Sequence, residues 1–292
     1  MSSLTLHSPA KINLYLAITG RRADGFHDLI SVVSPLAWGD TLTLEPAPEV
    51  SLVCSDPSLS VDDSNLVMKA AHAFQRTTGF RGGARFVLEK RIPVGAGLGG
   101  GSSNAAAALR GLNELAGGPL NATALSLLAA DIGSDCPLFL RSGAVVLSGR
   151  GEEVSPVSDR AGARIRGRRI LIFKPAFAIA TPWAYGRMAA GAPDSYLPGA
   201  EAESRLARWM DRETALEDVL YNNMEGVAFS KFPALPALLD RLQTRFGLRA
   251  RMSGSGSACF ALLREDAETE AVIATIYDAW GKSAFVVQTR LE

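Results

Sequence analysis

The sequence predicts an α+β fold in two lobes. Strand-like and helix-like stretches come in clusters rather than in a regular parallel alternation. One strand pattern runs into a glycine-rich turn and then an alanine-rich helix. With 292 residues, 47% of them hydrophobic, the chain can bury a large core. Thirty Lys+Arg balance thirty Asp+Glu. That composition argues against disorder, and against general binding of nucleic acid or anionic membrane, which both need a basic surplus.

Residues 3–19 alternate in places (Leu4, Leu6; Ile12, Leu14, Leu16, Ile18), the period of a half-buried strand. The pattern returns at 41–45 (TLTLE) and 50–54 (VSLVC). Residues 64–78 read as a helix with Ser64 as N-cap and Gly79 as its stop. ARFVLEKRI at 84–92 alternates as a strand, and Pro93 with the glycines after it breaks the chain. Residues 103–116, rich in Ala and Leu, form the next helix. Asn121 caps a short helix ending near Gly133, with Asp131 at its end, and GAVVLSG at 143–149 is a further strand. Residues 155–168 lack apolar periodicity and mark the boundary between lobes 1–160 and 161–292. RILIF at 169–173 starts the second lobe with a strand. Residues 190–217 are polar and read as an exposed insertion with a charged helix. Pro236 opens a helix running to Phe246 and closed by Gly247. Residues 257–263 and 284–291 are strands around a helix at 266–280.

Cys54, Cys136 and Cys259 are scattered, without metal-like spacing, which fits reduced thiols in a cytoplasmic protein. The N-terminal residues lack the basic start and apolar run of a signal peptide. The uncharged stretch from Ile92 to Leu109 is too rich in Gly and Ser for a membrane span. A monomer or weak homodimer is expected. His7 and His72 read as structural, and no His, Asp and Glu cluster reads as a fixed metal site.

The sharpest feature is Pro93, Val94, Gly95, Ala96, Gly97, Leu98, Gly99, Gly100, Gly101, Ser102 and Ser103, between a strand and a helix. Glycine lets the backbone approach a ligand without a Cβ clash. Successive N–H groups can then turn onto an anion, and the next helix adds its unpaired N–H groups and positive end. Gly95, Gly97 and Gly100 formally match G-x-G-x-x-G, but a long helix follows where a dinucleotide fold needs a strand ending in an acid. The Gly-Lys-Ser/Thr of a Walker loop and the motif set of protein kinases are absent. A plain flexible linker would lack the strand before and the helix after.

Three more segments accompany this loop: PAKINL at 9–14, GSDCP at 133–137 and MSGSGSA at 252–258. In this order the four blocks resemble the GHMP kinases, from Pro9 to near Phe260. The resemblance implies a lobe with a mixed sheet and helices, an α/β sandwich-like second lobe, and an active-site cleft between them. It also implies ATP and Mg²⁺ as the nucleotide and its metal. RADGFH at 22–27 and the triple glycine 99–101 resemble the branch whose small-molecule substrate is a diphosphocytidyl polyol. Another small-molecule kinase of the mevalonate or homoserine type, or a non-catalytic nucleotide-binding protein on the same fold, is the competing reading.

By that resemblance Asp135 is the catalytic base and Lys11 its cationic partner, with Asn13 near the reacting end. Residues 93–103 wrap the ATP phosphates, and Asn65, Leu66 and Lys69 lie on the adenosine side. Ser102 or Asp135 approaches magnesium. His27 reads the cytosine edge, and Phe26, where the family commonly has Tyr, keeps a stacking face without the hydroxyl. Tyr185, or else Trp183, supplies the second face, with Thr181 nearby; Gly254, Ser255 and Gly256 brace the phosphates or the glycine loop.

Overall fold

A computed structural model describes residues 3–212 and 214–292 of the chain. The first elements are β1 (Leu4–Arg21), β2 (His27–Ala47), β3 (Ser51–Cys54), α1 (Leu66–Thr78) and β4 (Gly83–Glu89). There follow α2 (Gly100–Leu115), α3 (Ala122–Ile132), β5 (Val145–Ser148), β6 (Glu153–Pro156), α4 (Asp159–Ile165) and β7 (Arg169–Lys174). The remainder is α5 (Thr181–Ala190), α6 (Gly199–Asp211), β8 (Tyr221–Asn222), α7 (Met224–Lys231), α8 (Ala234–Phe246), β9 (Ala250–Met252), β10 (Cys259–Leu262), α9 (Thr269–Trp280) and β11 (Phe285–Arg290). The architecture is α+β, as the clustered pattern predicts.

The chain divides into two compact units that interleave in sequence. One comprises the described part of Met1–Ala10 with Trp38–Pro93 and Gly99–Ser142; the other comprises Lys11–Ala37, Val94–Leu98 and Gly143–Glu292. The contacts therefore partition the chain differently from a single cut near residue 160, because β1 and β2 each contribute residues to both units.

In the first unit β4 pairs antiparallel with β2 (Leu44 opposite Phe86) and parallel with β3 (Leu52 opposite Phe86). Helices α1, α2 and α3 close its core around Phe74, Phe86, Leu42, Leu44, Leu109 and Leu112. Val67, Ala70, Ala71 and Phe74 share one face of α1, at helical spacing. The cap of this helix is Asn65, not Ser64: Asn65 Oδ1 accepts from Val67 N at 2.9 Å. The Ser64 N–H is instead taken by Asp62 Oδ1 at 2.8 Å, an Asx turn that delivers the chain to its cap. Helix α2 begins three residues earlier than expected, since Gly99 makes the turn at φ +71° and Gly100 and Gly101 are already helical.

A buried carboxylate holds both flanks of the glycine run in this unit. Asp40, fully buried, accepts from Arg91 N at 2.7 Å, Ile92 N at 2.9 Å and Asn104 Nδ2 at 2.9 Å, and pairs with Lys90. Asn104 Nδ2 also donates to Ser8 Oγ at 2.8 Å, and Ser8 Oγ donates to Ser103 Oγ at 2.8 Å. The last residues before the glycines and the first turn of α2 are thus fixed to one ion pair.

In the second unit β7 is paired on both sides, with β11 and β10, and β9 extends the sheet in the order β11-β7-β10-β9. Ile170, Leu171, Ile172, Phe173, Phe260 and Ala261 are buried along the two central strands. Helix α8 presents Leu235, Leu238, Leu239 and Leu242, a helical stripe. It starts at Ala234, two residues before Pro236, so that proline sits in the first turn, where its missing N–H has no ladder partner to lose. Strand β5 pairs with β2 and β6, and β8 runs parallel to β1 with Leu16 opposite Asn222.

Two stretches carry more structure than their composition suggests. Residues 155–168 hold the end of β6 and all of α4, which is capped by Ser158 and buries only Ala161 and Ile165. Within 190–217, α6 buries Ala202, Leu206 and Trp209, at spacings of four and three, so its charges cover one face of a packed helix.

Glu225 on α7 accepts from Met252 N at 2.8 Å and lies near Arg251, Tyr221 and Cys259. Burial pushes its carboxyl up to about 7, against the lowering effect of the Met252 N–H and Arg251. The folded chain holds this proton more tightly than the unfolded chain, so the associated stability is full below pH 4.5 and is lost as pH rises through 7. Glu225→Gln keeps the acceptor and removes the titration. Relative to wild type it gains roughly 3 kcal/mol between pH 5 and pH 8 in chemical denaturation, and parallel pH curves would refute the assignment. Asp40→Ala leaves Lys90 buried and unpaired, and lowers unfolding stability by about 3–5 kcal/mol in the same measurement.

Candidate active site

The middle of the glycine run belongs to the second unit, and its carbonyls are tied down one after another. Ala96 O accepts from Ala258 N at 3.1 Å, Gly97 O from Ser253 Oγ at 3.0 Å, and Leu98 O from Lys11 N at 3.0 Å. In a trans peptide the C=O and the next N–H point in opposite directions. Fixing these carbonyls therefore turns the N–H groups of Gly97, Leu98 and Gly99 the other way, as an anion cradle requires. Gly97 has φ +76°, and a Cβ there would lie 2.3 Å from the Ser253 carbonyl oxygen, so only glycine fits.

The second small-residue turn braces this arrangement. Buried Ser253 accepts from Asn13 N at 3.3 Å while its hydroxyl holds Gly97. Gly254 approaches so closely that a Cβ would lie 3.4 Å from both Gly97 O and Asn13 Oδ1. Ser255 shares a hydrogen bond with Thr181, the first residue of α5, at 2.9 Å. Asn222, absent from the sequence-based set, donates to Met252 O at 2.8 Å and Gly254 O at 2.9 Å. Its only sequence signal is an Asn-Asn pair in an otherwise ordinary stretch. Lys11, nearly buried, donates from Nζ to Asn13 Oδ1 at 2.7 Å.

The other end of the loop lies in the first unit. Helix α2 makes its first ladder bond from Ser103 N to Gly99 O at 2.9 Å, so the N–H groups of Gly100, Gly101 and Ser102 precede the ladder at its positive end. Ser103 itself is turned inward onto Ser8 and is only 1% exposed. The Ser102 hydroxyl bonds the Cys136 thiol, which burial pushes up to about 12, Asp135 adding to the rise. Asp135 precedes that cysteine in the chain, between α3 and the turn Pro137–Leu140. Leu66 reaches the first turn of α2, 3.3 Å from where a Cβ on Gly101 would be. Asn65 is engaged as a cap and donates to Ser60 O at 2.7 Å, and Lys69 is exposed one turn along α1.

A third group of residues is built on the turn between β1 and β2. His27 is buried, its ring 4.9 Å from Tyr185 and 5.9 Å from Tyr196. Its Nε2 and the Tyr196 hydroxyl are buried without a protein hydrogen-bond partner. Burial, with Arg21 nearby, holds the His27 imidazolium below its ordinary range, which favours the neutral ring. Phe26 is 51% exposed, with the Arg150 guanidinium 4.8 Å from its centroid. Trp183 instead packs edge-on to Phe232 at 5.7 Å with Lys231 over its face, which leaves Tyr185 as the ring beside His27. Tyr196 was not apparent in sequence, because it lies inside the polar stretch that reads as an insertion.

Known proteins match along the whole chain. Residues 65–143 match the GHMP kinases N terminal domain and residues 201–283 match the GHMP kinases C terminal domain. The chain is 37% identical to 4-diphosphocytidyl-2-C-methyl-D-erythritol kinase of Gloeobacter violaceus, covering 99% of this chain and 95% of that protein. It is 38% identical to the enzyme of the same name from Salinibacter ruber, over 94% of each. A crystal structure of 4-(cytidine 5'-diphospho)-2C-methyl-D-erythritol kinase superposes with TM-score 0.77 at 33% identity, covering 98% of this chain and 99% of that one. The Methanococcus jannaschii mevalonate kinase shares the fold, with TM-score 0.76 at 13% identity over 100% of this chain and 99% of its own. The chain belongs to the 4-diphosphocytidyl-2-C-methyl-D-erythritol kinase family of the GHMP kinases.

Proposed function

We propose that this protein transfers the γ-phosphoryl group of ATP to the 2-hydroxyl of 4-diphosphocytidyl-2-C-methyl-D-erythritol, a step of the non-mevalonate route to isoprenoid precursors. The family membership supports the reaction. The observation that carries the substrate is the buried, unpartnered Nε2 of His27 beside Tyr185. A buried polar atom left unmatched costs about 1–3 kcal/mol, so a ligand with a polar edge at that point is favoured. A neutral imidazole next to a ring face suits a pyrimidine, which mevalonate and homoserine lack.

Phosphoryl transfer depends on positioning and charge stabilisation more than on covalent help from the protein. The N–H groups of residues 97–99 and the start of α2 hold the nucleotide phosphates. Asp135 accepts the proton of the attacking hydroxyl, and Lys11 supplies a compact positive charge for the phosphoryl group in transfer. Tyr185 and Phe26 offer faces for the base, and His27 reads its edge. The donor chemistry suits a magnesium ion that stays mostly bound to phosphate and water. Ser102, which bonds Cys136, and Asp135, the residue before that cysteine, are oxygen donors, and among the described residues no three His, Cys, Asp or Glu form a cage. When bound, Mg²⁺ would neutralise phosphate charge.

No helix of the described residues is long and apolar enough to cross a membrane. The scattered free thiols support a cytoplasmic location.

ADP release is measured with the cytidyl substrate, mevalonate, homoserine and no substrate. Release with the cytidyl compound alone supports the reading, and release with mevalonate overturns it. Asp135→Ala lowers kcat by roughly 10²–10⁴-fold while circular dichroism is unchanged. His27→Ala raises KM for the cytidyl substrate at least about tenfold and leaves KM for ATP within twofold, the size of one lost polar contact.

A further inference from the structure

A chain of hydrogen bonds between β1 and β2 ends on the Lys11 ammonium group. Lys11 Nζ donates to Asn13 Oδ1 at 2.7 Å. Asn13 Nδ2 donates to Ser31 Oγ at 2.9 Å, and Ser31 Oγ donates to the Tyr15 carbonyl at 2.6 Å. Ser31 is fully buried, and Asn13 is 6% exposed.

The direction of each bond fixes the next. The Tyr15 carbonyl is only an acceptor, so it takes the single Ser31 proton. The Ser31 oxygen is then left as an acceptor, and only the NH₂ side of the Asn13 amide satisfies it. That choice places Oδ1 toward Lys11. The opposite flip would point two N–H donors at an ammonium group, which has no acceptor to offer. The Asn13 backbone adds a second restraint, because its N–H donates to Ser253 Oγ, whose own proton goes to Gly97 O.

We infer that Ser31 is a positioning residue for the phosphoryl transfer: through Asn13 it sets the amide orientation that holds the Lys11 ammonium in place. Asn13 is in this account a positioning residue too, rather than one free to turn toward substrate. The effect on rate rests on the catalytic role proposed for Lys11; the effect on the amine does not.

Two readouts test this on the full-length protein, well below its unfolding temperature. The first is kcat and KM of Ser31→Ala and Ser31→Thr. The second is the acylation rate of each lysine with a water-soluble acetylating reagent, resolved by peptide mass spectrometry, with exposed Lys282 as internal reference. In Ser31→Ala the amide loses its restraint, Lys11 loses a well-placed acceptor, and its acylation rises several-fold relative to Lys282. In the same variant kcat falls about tenfold, while KM for ATP stays within twofold. Ser31→Thr keeps the hydroxyl and restores both. A purely structural role would lower thermal stability and move neither readout. Unchanged Lys11 acylation in Ser31→Ala overturns the inference, and so does unchanged kcat where Lys11→Met is inactive. Normal turnover of Lys11→Met sinks the catalytic assignment of Lys11 instead, and acylation alone then decides the role of Ser31.

Discussion

The tethering of three successive carbonyls, Ala96, Gly97 and Leu98, is the constraint on which the site depends. Glycine-rich backbone is floppy by composition, and a floppy cradle would bear the ordering entropy at each binding event. Here that entropy is lost on folding. The strand bearing Lys11 holds Leu98, and the 253–258 turn holds Ala96 and Gly97. The steric demand at Gly97 follows directly: the brace comes so near that no side chain fits. The same brace explains Asn222, whose amide fixes the carbonyls of Met252 and Gly254 on the far side of the turn.

The two flanks of the run are restrained by a different device. Asp40 gathers two backbone N–H groups, an amide and a lysine, all with little access to water. A buried ion pair of this kind contributes little net stability, since desolvation offsets its attraction, but it costs heavily to break. Its structural consequence is registration. The residues before the glycines and the first turn of α2 are held to one point, so the start of α2 cannot drift along its axis.

Much of this was legible in the sequence, and the parts that were not share a physical reason. The glycine run and the 254–256 turn stood out because small residues cluster there, whereas Lys11, Asp135 and His27 were named from the family resemblance of their segments. The cap at Asn65 was misplaced by one residue because Ser and Asn are both good caps, and only the Asx turn at Asp62 decides between them. Helix α4 escaped because two buried residues give no periodic signal. Asn222, Ser31 and Tyr196 were invisible because each is common in type and acts through partners distant in sequence. Ser31 is 18 residues from Asn13, and Asn222 is 30 from Met252. The interleaving of the two units was likewise hidden, since it arises from two long strands that each pass through both.

The balanced charge of the chain acquires a local meaning from these contacts. From Ile92 to Asn113 the only charged residue is Arg110. Lys90, just before the run, is committed to Asp40 and Asn104, so its charge is largely cancelled where it sits, and next to it Arg91 is exposed. Oriented N–H dipoles and the start of α2 supply positive potential within the loop itself, where the sequence places no charged side chain. Dipoles fall off faster with distance than charges do. A site built this way attracts a phosphate that enters the loop and exerts little pull on polyanions outside it. Fixed carbonyls, a paired lysine and a balanced net charge together suit the proposed function: a field confined to the loop rather than spread over a basic surface.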